Sequence, residues 1–360
     1  MILYILGAFL LSLLLGLVFT PLILKICKTK KLYDIPNERK IHKNAIPRLG
    51  GISFLPSMLT TTIIVLIYMS FTEQKTLPVN LWSAMFVLGL VIIYLTGIID
   101  DLIGLNAITK LTAQIITACL FPIAGLYINN LYGLFGIHEI QPYIGIPLTI
   151  CVVVFIDNAI NLIDGMDGLA AGLSLIAFSG FLVYFIHYGV FLNTYCILSA
   201  SMIGVIVAFA YFNIFGKPEK NTKTFMGDSG SLSLGYILGF LSIKCAMTNT
   251  AIWPMRQEAL IIPLTLLFVP LADVIRVIIY RLRHQQPLFK ADKNHIHHNL
   301  MRMGLTQHQS LVCILSMAIG LILLNSILYS WMATTLIILI DAVLYCVVNL
   351  YINLRTKKAV

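Results

Sequence analysis

Charge is scarce in this chain of 360 residues: 11% are Asp, Glu, Lys or Arg, 59% are hydrophobic, and the mean hydropathy is +0.92. That balance excludes an ordinary soluble domain, which could not keep so much apolar surface out of water. Paired cysteines are lacking too. Cys27, Cys119, Cys151, Cys196, Cys245, Cys313 and Cys346 stand singly in or beside apolar stretches, which argues against a disulfide framework and against a zinc site. The apolar stretches do not alternate with polar residues, so a transmembrane barrel is excluded as well. No basic leader precedes the apolar run at Ile2, and the cluster Lys25, Lys28, Lys30, Lys31 follows it. The first run is therefore expected to remain as a span rather than be cleaved. Internal repeats, low-complexity tracts and loops of domain size are likewise missing.

What is present is a series of apolar runs, each near the ~20 residues that cross a bilayer as a helix. They cover 2–26, 52–69, 81–99, 111–128, 144–160, 169–188, 191–212, 232–247, 260–280, 311–328 and 331–351. The expected fold is an all-α polytopic membrane protein of about eleven spans, forming one integral-membrane domain over 1–360.

Lys and Arg gather on the side where a membrane protein is made. Placing the N-terminus outside and the C-terminus in the cytoplasm leaves Lys75, Lys244 and Arg256 outside and every other basic residue inside. Connections 28–51, 97–110, 157–168, 213–231 and 281–309 then share the inner face. The net charge of +9 fits anionic lipid and does not require nucleic acid. Asp100, Asp101, Asp164, Asp167, Asp228 and Asp292 also fall on the inner side. A membrane protein that collects aspartates on one face is expected to bind a cation there.

Each inner connection carries polar residues with two readings. In the first, Lys40, His42, Lys43 and Arg48 suit phosphate and Gly50-Gly51 permits close backbone approach, or the segment is simply a basic inner loop. In the second, the Asp100-Asp101 pair ends an apolar span, which marks a cation or proton-transfer site unless both acids are solvated among headgroups. In the third, Asn158, Asn161 and Asp164 recur every three residues on one helix face, and Gly165 and Gly168 break the helix where Asp167 projects. Such oxygen donors suit Mg²⁺; the alternative is a polar network between helices. In the fourth, Gly227 and Gly230 predict a turn around Asp228 before a helix, with Phe225 available to a base.

The fifth holds His295, His297 and His298, which suit phosphate beside Lys290, Lys293 and Arg302 better than they suit a transition metal. His308 reads as a surface residue. Asp273 and Arg276 read as an ion pair in the ninth span, and Asp341 as a buried polar contact in the last.

Taken together, the segments Asp-Ile-Pro-Asn-Glu-Arg-Lys-Ile-His, Pro-Arg-Leu-Gly-Gly, Asp100-Asp101, Asn158-Ala-Ile-Asn-Leu-Ile-Asp-Gly-Met-Asp-Gly-Leu-Ala170, Phe225-Met-Gly-Asp228 and His295-Ile-His-His298 resemble the polyprenyl-phosphate N-acetylhexosamine-1-phosphate transferases. The resemblance covers nearly the whole chain and is strongest to the WecA/TagO branch of glycosyltransferase family 4. Gly104 departs from the Lys that the peptidoglycan cousins carry there, and from the Asp of some branch members.

The resemblance implies eleven spans in a bacterial inner membrane, N-terminus out, with a cytoplasmic active site. It implies Mg²⁺, with Mn²⁺ as a substitute, held by Asp228 and Asn161. Asn158, Asp164 and Asp167 fall in its nucleotide-binding stretch and Phe225 beside its uridine site. His295, His297 and His298 resemble its donor pyrophosphate contacts, with Lys43 as a companion. The implied partners are a UDP-N-acetylhexosamine, undecaprenyl phosphate and membrane lipids, with a homodimer left open.

The implied reaction exchanges one phosphoanhydride for another, so the catalytic problem is to bring two anions together. Asp100 or Asp101 would orient or deprotonate the lipid phosphate, or a carboxylate would form a phosphoryl-enzyme; Asp228 completes the expected catalytic acids. The alternatives are a phospho-MurNAc-pentapeptide transferase and, in another class, an ion-coupled secondary transporter. A transporter predicts midplane acids and an inverted repeat.

Overall fold

The computed structural model describes residues 1–33, 45–74, 80–188, 193–248, 256, 258–287 and 294–358. Lys40, His42 and Lys43, with Lys290, Asp292 and Lys293, lie outside them. The chain is a multi-pass membrane protein of helices. In order these are α1 (Ile2–Lys30), α2 (Phe54–Glu73), α3 (Leu81–Ile103), α4 (Ala107–Ile123), α5 (Pro142–Ile163), α6 (Leu169–His187), α7 (Asn193–Ile214), α8 (Gly227–Ala246), α9 (Ile261–Leu266), α10 (Phe268–Arg283), α11 (Ile296–Arg302), α12 (Gln307–Leu328) and α13 (Thr334–Lys358).

Every apolar run of the sequence has a helical counterpart. Among the described residues nine helices are long and apolar enough to cross a bilayer. The other two runs depart for local reasons. The run 111–128 becomes the 17-residue α4, about 26 Å long at 1.5 Å per residue. The run 260–280 is divided at Leu267 into α9 and α10. Pro270 has no N–H for the carbonyl four residues back, at Leu266, and its ring crowds that carbonyl. The helical hydrogen-bond ladder is interrupted there.

A small hairpin of β1 (Asn130–Leu134) and β2 (Ile137–Glu139) is the one sheet among the described residues. Phe135 and Gly136 at its tip both have positive φ, 53° and 78°, the twist a two-residue hairpin turn needs. The all-α expectation did not include it, because two strands this short carry no alternating pattern.

The helix at the centre is α8. Every residue from Ser229 to Ala246 is buried, packed mainly against α3 and α5. Lipid-facing α1 packs on α7, and α2 and α6 pack there too. Aromatic stacking locks the centre: Tyr236 and Phe240 of α8 lie against Phe86 of α3 and Phe121 of α4, with Phe86 and Phe240 centroids 4.2 Å apart.

Candidate active site

The α8 N-terminus is where the polar connections meet. Asp228 stands in its first turn, and not in the loose turn the two flanking glycines predict. The reason lies on α3: the Asp101 carboxylate accepts hydrogen bonds from the backbone N–H groups of Asp228 (2.9 Å) and Ser229 (3.0 Å). A carboxylate at a helix start satisfies amides that have no partner within the helix and complements its dipole. Gly227 enters at φ +73°, where a Cβ would strike the Arg48 carbonyl and the Asp101 carboxylate.

The segment after Arg48 is bound to the same end. Phe225 N–H donates to the Pro47 carbonyl at 2.8 Å, Gly50 N–H to the Phe225 carbonyl at 3.0 Å, and Gly51 N–H to the Met226 carbonyl at 2.8 Å. A side chain at Gly51 would collide with the Gly230 backbone, so the close approach read from Gly50-Gly51 is realised against α8. Arg48 itself donates from Nε to the Asp101 carbonyl at 2.7 Å, and its second nitrogen reaches the Asp100 and Asp101 carbonyls. It closes the C-terminal end of α3.

The adjacent acids thus separate in role. Asp101 is engaged with α8 amides, whereas Asp100 turns to Lys110 on α4. Lys110 Nζ lies 3.0 Å from Asp100 Oδ2 and 3.3 Å from Asp228 Oδ2, a single ammonium between two carboxylates. Asp100 Oδ1 accepts the Leu105 N–H at 2.5 Å. From α5, Asn161 Nδ2 donates to Asp228 Oδ1 and, at 2.8 Å, to Ser231 Oγ. One turn earlier Asn158 is turned toward α4, donating to Gln114 Oε1 at 2.7 Å.

As the glycines predict, α5 ends at Ile163 and α6 starts after Gly168, at φ +77°. Between them the Asp164 carboxyl has no hydrogen-bond partner among the described residues. Burial, and then the charges of Asp228, Asp167 and Asp101, push its pKa well above the ordinary carboxylate range. Asp167 is held otherwise, by Lys223 Nζ at 2.6 Å and Asn213 Nδ2 at 3.5 Å. Asn213 also accepts the Gly168 N–H and donates to the Thr224 carbonyl, so it ties the α5–α6 connection to the Phe225 segment.

The histidines close the other side. His295 Nδ1 is 2.7 Å from Asp273 Oδ2, and Asp273 also pairs with Arg276 at 2.9 Å, the ion pair expected from the sequence. His297 is buried against Gly165, with the His298 ring 4.1 Å away between centroids. Among the described residues both His297 ring nitrogens lack a partner. Burial, with the neighbouring His298 and His295, pushes its pKa down to about 3. Below its unfolded value near ~6.5 the unfolded chain takes up a proton that folded His297 refuses. Stability should therefore fall, by up to ~1.4 kcal/mol per pH unit, as pH drops from ~6.5 toward 3. Thermal unfolding of purified protein across this range should show a gentler acid slope in His297→Asn; an unchanged slope would assign it elsewhere.

Segments from all five of the connections expected on the inner face therefore touch. Lys110, Gln114, Asn213, Lys223 and Ser231 were not singled out in the sequence. Of these, only Lys110 left a trace, as a lone cation at the start of an apolar span ten residues after an acid pair.

The donor set around Asp228 is oxygen-rich. Asn161, turned end for end, would present its amide oxygen beside the carboxylate. Among the described residues no three His, Cys, Asp or Glu cluster closely enough to cage an ion. The oxygen donors of Asp228 and Asn161 suit a hard divalent cation, which fills the rest of its shell with water and substrate phosphate.

Comparison with known proteins gives the family. A family model described as "Glycosyl transferase family 4" matches residues 83–246, from α3 through α8. A Bacillus subtilis protein described as a probable undecaprenyl-phosphate N-acetylglucosaminyl 1-phosphate transferase is 34% identical, over 85% of this chain and 80% of its own length. A Mycobacterium leprae decaprenyl-phosphate N-acetylglucosaminephosphotransferase is 30% identical, over 80% and 74%. The Escherichia coli K12 undecaprenyl-phosphate alpha-N-acetylglucosaminyl 1-phosphate transferase is 29% identical, over 81% and 74%.

Proposed function

Because the chain belongs to glycosyl transferase family 4, we propose that it transfers N-acetylglucosamine-1-phosphate from UDP-N-acetylglucosamine to undecaprenyl phosphate, releasing UMP. The observation that carries this reading is the meeting of Asp100, Lys110, Asn161 and Asp228 at the α8 N-terminus, walled by Asp164 and the histidines. The reaction takes place at the cytoplasmic face of a bacterial inner membrane, within one membrane domain whose N-terminus lies outside. Its support is the charge pattern, which puts Arg48, Lys110, Lys223 and Arg276 on the same side as the site aspartates.

A lipid phosphate oxygen attacks the β-phosphorus of the donor; the bond from that phosphorus to the bridging oxygen breaks, and UMP departs with the electron pair. The difficulty is mutual repulsion, and the protein meets it with fixed charge and orientation. Asp100 orients the acceptor phosphate and accepts its proton, since Asp101 is occupied with α8 amides. Lys110 supplies positive charge between the acids. Asp164, Asp167, Asn158 and Phe225 line the nucleotide side, and His295, His297 and His298 face the diphosphate. Mg²⁺, with Mn²⁺ as a substitute, would be held by Asp228 and Asn161 and would neutralise diphosphate charge as UMP leaves.

Purified protein should release UMP from UDP-N-acetylglucosamine only when undecaprenyl phosphate and Mg²⁺ are both present. Ion-coupled uptake of a solute into liposomes without UMP release would overturn the assignment. The transporter alternative gains nothing from Asp341, whose carboxylate accepts from Asn325 Nδ2 at 2.7 Å as a buried contact between α12 and α13.

A further inference from the structure

Asp273 has no place in the chemistry above, yet its surroundings are unusually complete. It is fully buried on α10, and its carboxylate gathers donors from several elements. Oδ2 pairs with His295 Nδ1 at 2.7 Å. Oδ1 accepts from Ile296 N–H (2.9 Å), the Arg276 guanidinium (2.9 Å) and the Tyr345 hydroxyl of α13 (3.2 Å). Arg276 also donates to the Asn294 carbonyl, so the chain is gripped on both sides of His295.

A carboxylate on Nδ1 fixes which nitrogen carries a proton there, and the ring plane with it. His295 Nε2 has no partner among the described residues, so the dyad leaves that nitrogen for a ligand. The His295 ring lies nearly parallel to His297, 13° between planes and 5.9 Å between centroids, and His297 packs on Gly165 beside Asp164. The orientation set at Asp273 therefore reaches the wall of the site.

We propose that Asp273 is a positioning residue for phosphoryl transfer, acting through His295 to hold its ring plane so that Nε2 points at the diphosphate, where charge builds on the departing phosphate. The inference rests on the transferase reading given above. Carboxylates that orient metal-ligating histidines contribute on the order of 10–100-fold in affinity or activity, and the same scale is expected for Asp273.

The test is a double-mutant cycle on purified full-length enzyme, reading undecaprenyl-phosphate-dependent UMP release. Asp273→Asn should lower kcat by about 10–100-fold with KM for UDP-N-acetylglucosamine within about threefold. His295→Ala should cost as much, and the double variant no more than His295→Ala alone, because residues that act as a unit are not additive. Asp273→Glu should recover part of the loss.

His295→Asn offers a route that leaves Asp273 undisturbed, since its amide still donates where Nδ1 does but has nothing at Nε2. It should unfold at the wild-type temperature and show the His295→Ala loss even if Asp273→Asn does not fold. Additive losses, or wild-type kcat in His295→Asn, would overturn the inference while an active wild type leaves the transferase reading standing. A wild type without acceptor-dependent UMP release would overturn both.

Discussion

Asp228→Asn is expected to lower kcat by at least ~10³-fold, equivalent to ~4 kcal/mol of transition-state stabilisation. The substitution keeps the shape of the side chain, and α8 keeps its start, because the backbone N–H groups of residue 228 and Ser229 still meet Asp101. What is lost is one negative charge among the oxygen donors. UMP release at saturating donor and acceptor, titrated with Mg²⁺, is the measurement. Activity within tenfold of wild type at low millimolar Mg²⁺ would remove Asp228 as the central metal ligand.

Removing the cation between the acids has the next largest consequence. In Lys110→Met, Asp100 and Asp228 face one another without the ammonium 3.0 and 3.3 Å away. Two like charges about 4 Å apart near a protein surface repel by on the order of 4 kcal/mol, less where water screens them. That repulsion should push the two carboxylates apart and spoil the arrangement of the site. A fall of roughly 100-fold in kcat is expected, with Lys110→Arg retaining about a tenth of wild-type activity or more. Because a divalent cation partly replaces the missing charge, the Met variant should recover as Mg²⁺ is raised. A Met variant with wild-type kcat and wild-type Mg²⁺ dependence would show that Lys110 only packs.

The two variants probe features that differ in how far the sequence disclosed them. Asp228 stood in a Gly-rich segment at the start of an apolar run, so its residue type and setting drew attention. The bond that fixes it does not show, since Asp101 and Asp228 are 127 positions apart and nothing local couples a span end to a helix start. Lys110 and Asp228 are 118 apart for the same reason. Arg48 read as a phosphate holder, but its guanidinium also closes α3; an arginine in a basic loop carries no local sign of which carbonyls it will meet.

The spans were legible because lipid demands ~20 apolar residues whatever their partners. The division at Leu267 needed more than a hydropathy profile, because Pro263 and Pro270 leave the run apolar while breaking its hydrogen bonds. Likewise Gly165 and Gly168 announced a helix break through local stereochemistry, whereas His297 lying on Gly165 depended on a segment some 130 residues later.

The burial of α8 bears on how the protein is made. It is the least apolar of the long helices, with Ser229, Ser231, Ser233 and Ser242 among its residues, and it touches protein on every side. A nascent segment of that composition gains little from lipid and much from α3, α5 and the glycine seat at Gly51. Its entry into the bilayer should then be templated by helices already inserted, so that the acid at its tip arrives only once the scaffold around it exists. Assembly order, and not hydrophobicity alone, would decide when the chain becomes competent.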